Sequence, residues 1–159
     1  MRIDVSSGQE TEIAEHLVKK LEQMGFAITR DEAGATFGGV CGNILAVREG
    51  ERDGVVCFCS HMDRVPGGIG IKPVEEDGIL RSSGDTILAA DDLSGVAAIL
   101  EGVRQAIESG KALPKLEILF TVGEEAGLYG AKAFDVSLLT SKTMYVLCLL
   151  YTSDAADDK

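Results

Sequence analysis

The chain has 159 residues, 45% of them hydrophobic and only 5% aromatic, with no Trp. That composition suits one domain whose core comes from Val, Ile, Leu and Ala. A formal net charge of −11 argues against nucleic-acid binding, which needs a basic face. No run reaches the ~18 apolar residues of a membrane span, and no basic-then-apolar leader opens the chain. The expectation is therefore a cytoplasmic protein with no nucleic-acid or membrane partner. The four Cys show neither metal-finger spacing nor a disulfide framework, which agrees with a reducing compartment.

In chain order, Ser7-Gly8-Gln9-Glu10 has the form of a capping box, with Ser followed by Glu three residues on. Ile13, Leu17, Val18, Leu21 and Met24 then recur at helical spacing, and Gly25 stops the helix. His16 lies near this face without an acidic partner and reads as structural or exposed. Phe26 to Arg30 reads as a strand, and 31–39 as a polar, Gly-rich turn region. A second strand covers Gly42 to Val47, followed by a charged turn at 49–53. The apolar run Val55-Val56-Cys57-Phe58 predicts a buried third strand ending at Ser60-His61. Helix followed by three strands suggests an α/β sheet that mixes hairpin and crossover connections.

The stretch from Val65 to Asp85 is loop-like and rich in Gly and Pro, with short extended pieces at Lys72-Pro73-Val74 and Ile79-Leu80. A loop of this kind suits a substrate wall over a catalytic mouth. A helix over 93–109 carries the apolar stripe Val96, Ile99, Leu100, Val103 and Ile107. Gly110 ends it and Pro114 precedes the strongest strand of the chain, Leu116 to Val122. The helix then serves as the crossover between two parallel strands, and the right-handed rule brings their following loops to one sheet edge. A short helix over 128–133 and a strand starting at Thr143 complete the pattern. No internal repeat is present.

Three motifs carry the chemistry. His61-Met62-Asp63 ends the third strand, so that His61 and Asp63 point to one side on extended backbone. A ring nitrogen that binds an ion, with a carboxylate orienting the other nitrogen, is a common metal arrangement. Asp91-Asp92 opens a helix, and Glu124-Glu125 follows the strongest strand. Taken singly, each has an ordinary explanation: a histidine at a strand end, a helix start that favours negative charge, a solvated loop. A rival metal set uses Cys57, Cys59 and His61, which share one face of the third strand, although small buried Cys on a core strand is the common case.

Together, Ser60-His61-Met62-Asp63, Ala90-Asp91-Asp92-Leu93-Ser94-Gly95 and Gly123-Glu124-Glu125-Ala126-Gly127-Leu128 resemble the dinuclear zinc peptidases and deacylases. That family includes peptidase T, carboxypeptidase G, aminoacylase and succinyl-diaminopimelate desuccinylase; the phrases look nearest to the peptidase T-like branch. The resemblance implies an α/β fold, a three-layer α/β/α mixed sheet of a zinc-peptidase catalytic domain. It implies two Zn2+ ions, with cobalt or manganese as substitutes, and hydrolysis of a peptide bond in a small peptide substrate by dizinc-activated water. His61 would bind one zinc, Asp91 would bridge both and Glu125 would bind the second. Asp63 would orient His61, and Glu124 would be the general base. N-acyl amino acid deacylation or carboxypeptidase action uses the same machinery and stays open, as does a non-catalytic folded fragment.

The resemblance runs from about Ser6 to about Leu147, within an expected domain of residues 1–147 whose start is short by part of a first helix. It stops at Cys148, where the family pattern carries an acid. Thiolate is a legitimate zinc ligand, so substitution by Cys148 is the alternative there. Residues 148–159 read as a foreign or aberrant tail. The expected organisation is thus a truncated N-terminal part of a catalytic domain, inactive alone, whose parent forms a homodimer through a domain missing here.

Overall fold

The structure, a computed structural model, describes residues 2–148; apart from Cys148, the expected foreign tail lies outside the described residues. Helix α1 (Thr11–Gln23) buries Ile13, Ala14, Leu17, Val18 and Leu21, the stripe that its periodicity marks. The chain leaves it through Gly25 at φ +83° into strand β1 (Ala27–Arg30), a 3-10 turn over Ala33–Phe37 and strand β2 (Ile44–Arg48). Strand β3 (Val55–His61) follows, then β4 (Pro73–Glu76) and β5 (Ile79–Ser82), then helix α2 (Ala90–Glu108). Strand β6 (Lys115–Thr121), helix α3 (Tyr129–Ala133) and strand β7 (Met144–Val146) finish the described chain.

The five-stranded sheet has the order β1-β2-β6-β3-β7. Strands β3, β6 and β7 run parallel, while β2 is antiparallel to both β1 and β6. Helix α2 is the expected crossover between adjacent parallel strands. Strands β2 and β3 form no hairpin across the charged turn, because β6 enters between them. The loop-like region after β3 holds a genuine hairpin: β4 and β5 pair antiparallel, turning at Asp77 and Gly78, both at positive φ. Asp-Gly is a favoured pair for such a two-residue turn.

Alternation along the strands assigns the two sheet faces. Ile44, Ala46, Ile118 and Phe120 share one apolar cluster with the buried faces of α1 and α2, so both long helices cover the same side. The opposite face carries a smaller cluster of Leu45, Cys59, Leu119 and Phe134. The mixed α/β sheet is as expected; of the three layers, the sheet and one layer of long helices lie among the described residues. Glu117 interrupts the apolar run of β6 on the second face. It is fully buried, and its carboxylate accepts the N–H groups of Thr140 at 2.9 Å and Ser141 at 3.0 Å, which fixes the turn that feeds β7.

Asn43 ties the start of β2 to the end of β6. Its side-chain NH2 donates to Asp31 at 2.7 Å and to the Gly130 carbonyl at 2.9 Å, while its oxygen accepts the Val122 N–H at 3.1 Å. A Cβ at Gly130 would meet that Asn43 oxygen at 2.4 Å, so the close approach requires glycine. Asn43→Ala leaves a buried donor and a buried acceptor without partners, and is expected to cost about 2–4 kcal/mol. Urea unfolding measures this; a loss below ~1 kcal/mol would show that water replaces the amide.

Candidate metal centre

The site forms where parallel strands β3 and β6 end, the edge at which open α/β sheets bind ligands. His61 is the last residue of β3 and is almost fully buried. Its Nε2 lies 3.1 Å from Asp91 Oδ1 and 3.9 Å from Glu124 Oε2. Its Nδ1 lies 3.1 Å from the backbone carbonyl of Asp63 and 3.5 Å from the Asp63 carboxylate. The ring is thus steered by Asp63 through main chain and side chain together.

Asp63 does more than face the histidine. Its Oδ1 accepts the Glu124 N–H at 2.9 Å, and its Oδ2 accepts the Glu125 N–H at 3.1 Å and the Ser7 hydroxyl at 2.6 Å. One buried carboxylate therefore sets the backbone of both glutamates. Gly123, just before them, sits at φ +61°, and a Cβ there would meet the Phe37 ring at 2.5 Å; only glycine fits on both counts. Phe37 is itself stacked on Tyr129, with ring centroids 4.9 Å apart.

The Asp91-Asp92 pair divides its labour. Asp92 is buried and faces α2's own start: it accepts the Ser60 hydroxyl and, at 3.2 Å, the Gly95 N–H. That is the cap-like role a helix start predicts. Asp91, with its side chain 41% exposed, points to His61 instead. The peptide joining the two is cis.

Two sets of donor atoms result, each within 4.8 Å of one another: His61 with Glu124 and Glu125, and His61 with Asp91 and Cys148. Zinc holds N, O and S ligands at about 2.0–2.3 Å, so either spread suits one ion after small adjustment. Imidazole, carboxylate and thiolate are the donors that suit zinc or cobalt. All four acidic and imidazole ligands or bases expected from the motifs, His61, Asp91, Glu124 and Glu125, meet at one mouth. Among the described residues, Asp91 and Glu125 share no donor set. Cys57 and Cys59 belong to none either; burial first of all pushes both thiols up to about 12. The rival set Cys57, Cys59 and His61 is corrected accordingly: these thiols are core side chains on β3. His16 is exposed on α1.

The electrostatics suit a cation. Burial opposes a charged His61, yet the carboxylates of Asp63, Glu124 and Asp92 outweigh it and hold the ring up at about 9. Burial, reinforced by neighbouring carboxylates, raises both Glu124 and Glu125 against the pull of His61. Crowded carboxylates around one imidazole repel one another, and a divalent ion relieves that repulsion. Beside them, Leu119, Leu128, Phe134 and Met144 line a cleft of about 240 Å3 that reaches His61 and Glu124.

The model of peptidase family M28 matches residues 43–150. The chain belongs to peptidase family M28. It is 37% identical over 148 residues to an uncharacterized protein, YqjE, of Bacillus subtilis, covering 92% of this chain and 40% of that one. Among solved structures it resembles the aminopeptidase PepT of Bacillus cereus, at 39% identity and a TM-score of 0.89, covering 92% of this chain and 40% of the other. A tripeptidase from Staphylococcus aureus matches at 33% identity and a TM-score of 0.86 with the same coverage. The chain thus spans about 40% of the length of these relatives. The family is metal-dependent, and the donor sets around His61 are groups that could hold an ion. No helix among the described residues is long and apolar enough to cross a membrane.

Serine 7 and Glu10, both drawn into this site, were not marked as functional by the sequence. Their spacing matched a helix cap, and nothing local pointed to partners so far along the chain.

Proposed function

We propose that this chain supplies the first metal-binding half of an aminopeptidase acting on small peptides, tripeptides among them. The observation that carries the reading is the convergence of His61, Asp91, Glu124 and Glu125 at one sheet edge, with Asp63 ordering three of the four. His61, Asp91 and Glu125 would hold zinc, and Cys148 stands beside His61 and Asp91 where the family pattern carries an acid. Bound zinc supplies Lewis acidity that polarises a carbonyl and lowers the pKa of water toward ~7.

The chain's own groups do the rest. Glu124 takes a proton from the attacking water and returns it to the leaving amine; burial raises its carboxyl above the ordinary value. Asp63 keeps His61 turned with Nε2 outward and fixes the Glu124 main chain, so the base is placed by geometry before its acidity matters. The names of the solved relatives favour a free N-terminal residue as the target over an N-acyl group.

Two measurements test this. The chain alone, loaded with zinc or cobalt, is expected to give no chelator-sensitive hydrolysis of a tripeptide panel. Residues 2–147 fused to the remaining part of the Bacillus cereus enzyme should hydrolyse it. In that fusion, Glu124→Gln should lower kcat by about 10²–10⁴ while zinc content stays at the unmodified level. Near-normal turnover in Glu124→Gln would place the base elsewhere.

A further inference from the structure

The turn before α1 has the spacing of a capping box but does not act as one. The helix begins at Thr11, and Glu10 at its N-cap makes no side-chain cap bond. The Ser7 hydroxyl donates instead to Asp63 Oδ2 at 2.6 Å, 56 residues away. Glu10 Oε1 accepts the Gly8 N–H at 2.8 Å and the Gly123 N–H at 3.1 Å, the latter 113 residues away. Both far partners belong to the metal centre's support. Asp63 holds the Glu124 and Glu125 amides, and Gly123 is the amide immediately before them. Three consecutive N–H groups, 123 to 125, thus end on two carboxylates, and both carboxylates are engaged by this one turn.

Helix capping alone does not explain the arrangement. Caps are solvent-side devices that a short polar residue satisfies, whereas Glu10 is fully buried and its Oε2 has no protein partner. Burying a carboxyl costs free energy unless its bonds offset the loss of water. The bond that a surface cap could not make is the one to Gly123. Phe37 packs against the same glycine, where a Cβ would meet its ring at 2.5 Å, so Gly123 is held by Glu10 through its N–H and crowded by Phe37 at its Cα.

We propose that Ser7 and Glu10 are positioning residues that brace the 123–125 loop, and so set the aim of Glu124 and Glu125 at the metal site. This rests on the metal-centre reading above, and the test separates the two. Glu10→Leu removes the acceptor at similar size, Glu10→Gln keeps an acceptor oxygen, and Ser7→Ala removes only the hydroxyl. Amide hydrogen exchange in the metal-free chain reads the brace directly. In Glu10→Leu the 123–125 amides should exchange at least tenfold faster, with β3 and β6 amides unchanged. Ser7→Ala should do the same at 124 and 125, and Glu10→Gln should stay near the unmodified chain. Zinc affinity, by competition with a chromophoric chelator, should fall about 10–100-fold in Glu10→Leu, the loss typical of groups that orient ligands. The cobalt-loaded absorption spectrum should shift with it and return in Glu10→Gln.

A lower melting temperature with unchanged loop exchange, zinc affinity and cobalt spectrum would reduce the turn to an ordinary helix start. If Glu10→Leu does not fold, the exchange rates of Ser7→Ala and Glu10→Gln decide. An unmodified chain that takes up neither zinc nor cobalt would remove the metal reading, and the exchange rates would still judge the brace.

Discussion

Asp63→Ala is expected to cost the folded chain about 3–5 kcal/mol, the range for removing one side of a buried charged network. The carboxylate is fully buried and receives the Ser7 hydroxyl and the Glu124 and Glu125 amides at 2.6–3.1 Å. Alanine leaves those donors facing a hole, each with a desolvation penalty of about 1–3 kcal/mol. Asp63→Asn keeps the shape but turns one acceptor into a donor, so its loss should be smaller. The pH dependence identifies the cause. Burial works to raise the Asp63 pKa, but bonds from His61, Ser7 and the Glu124 amide outweigh it and hold it below the ordinary value of 3.8. The stability this group contributes is therefore present above that ordinary value and lost as pH falls through the folded one. Unfolding in urea at a series of acid pH values should show a shallower acid limb in Asp63→Ala. A loss under ~1 kcal/mol with an unchanged acid limb would mean that the loop amides find other partners.

The second large effect belongs to His61. Its folded pKa of about 9 stands above the reference of 6.5. The imidazolium's contribution is then fully present below 6.5 and disappears as pH rises through 9. The metal-free chain should lose about 3 kcal/mol across that window, since each pKa unit is worth ~1.4 kcal/mol. Zinc must displace the same proton, so its affinity moves the opposite way, tightening by about tenfold per pH unit up to about 9. His61→Ala should flatten the stability profile and weaken zinc binding by more than the roughly 10–100-fold expected for a supporting group. Affinities measured at four or five pH values check this. A pH-independent zinc affinity would show that the ring is already neutral or is not a ligand.

Local pattern determined a good deal about this protein. The spacing of Ile13, Leu17 and Leu21 placed α1 and its buried face, because a helix must bury whatever apolar stripe it has. The run from Leu116 to Val122 placed a central strand, since a stretch of that length that is apolar at all positions but Glu117 and Thr121 has to be covered on both sides. His61, Asp91 and Glu124-Glu125 were legible because each stands where an element ends, and ends of parallel strands gather at one edge.

What the tertiary structure decided are the partners. Nothing in a window around β2 or β3 says that β6 comes between them, because apolar alternation shows which face is buried and not which strand covers it. Asp91 and Asp92 are the same residue type side by side; only the fold turns one to His61 and the other to its own helix start. Glu117, Ser7 and Glu10 read locally as a charge in a strand and a helix cap. Their partners lie from 23 to 113 residues away, and a buried carboxylate takes whichever backbone donors the packed chain brings to it, since leaving them unpaired costs more than any local preference.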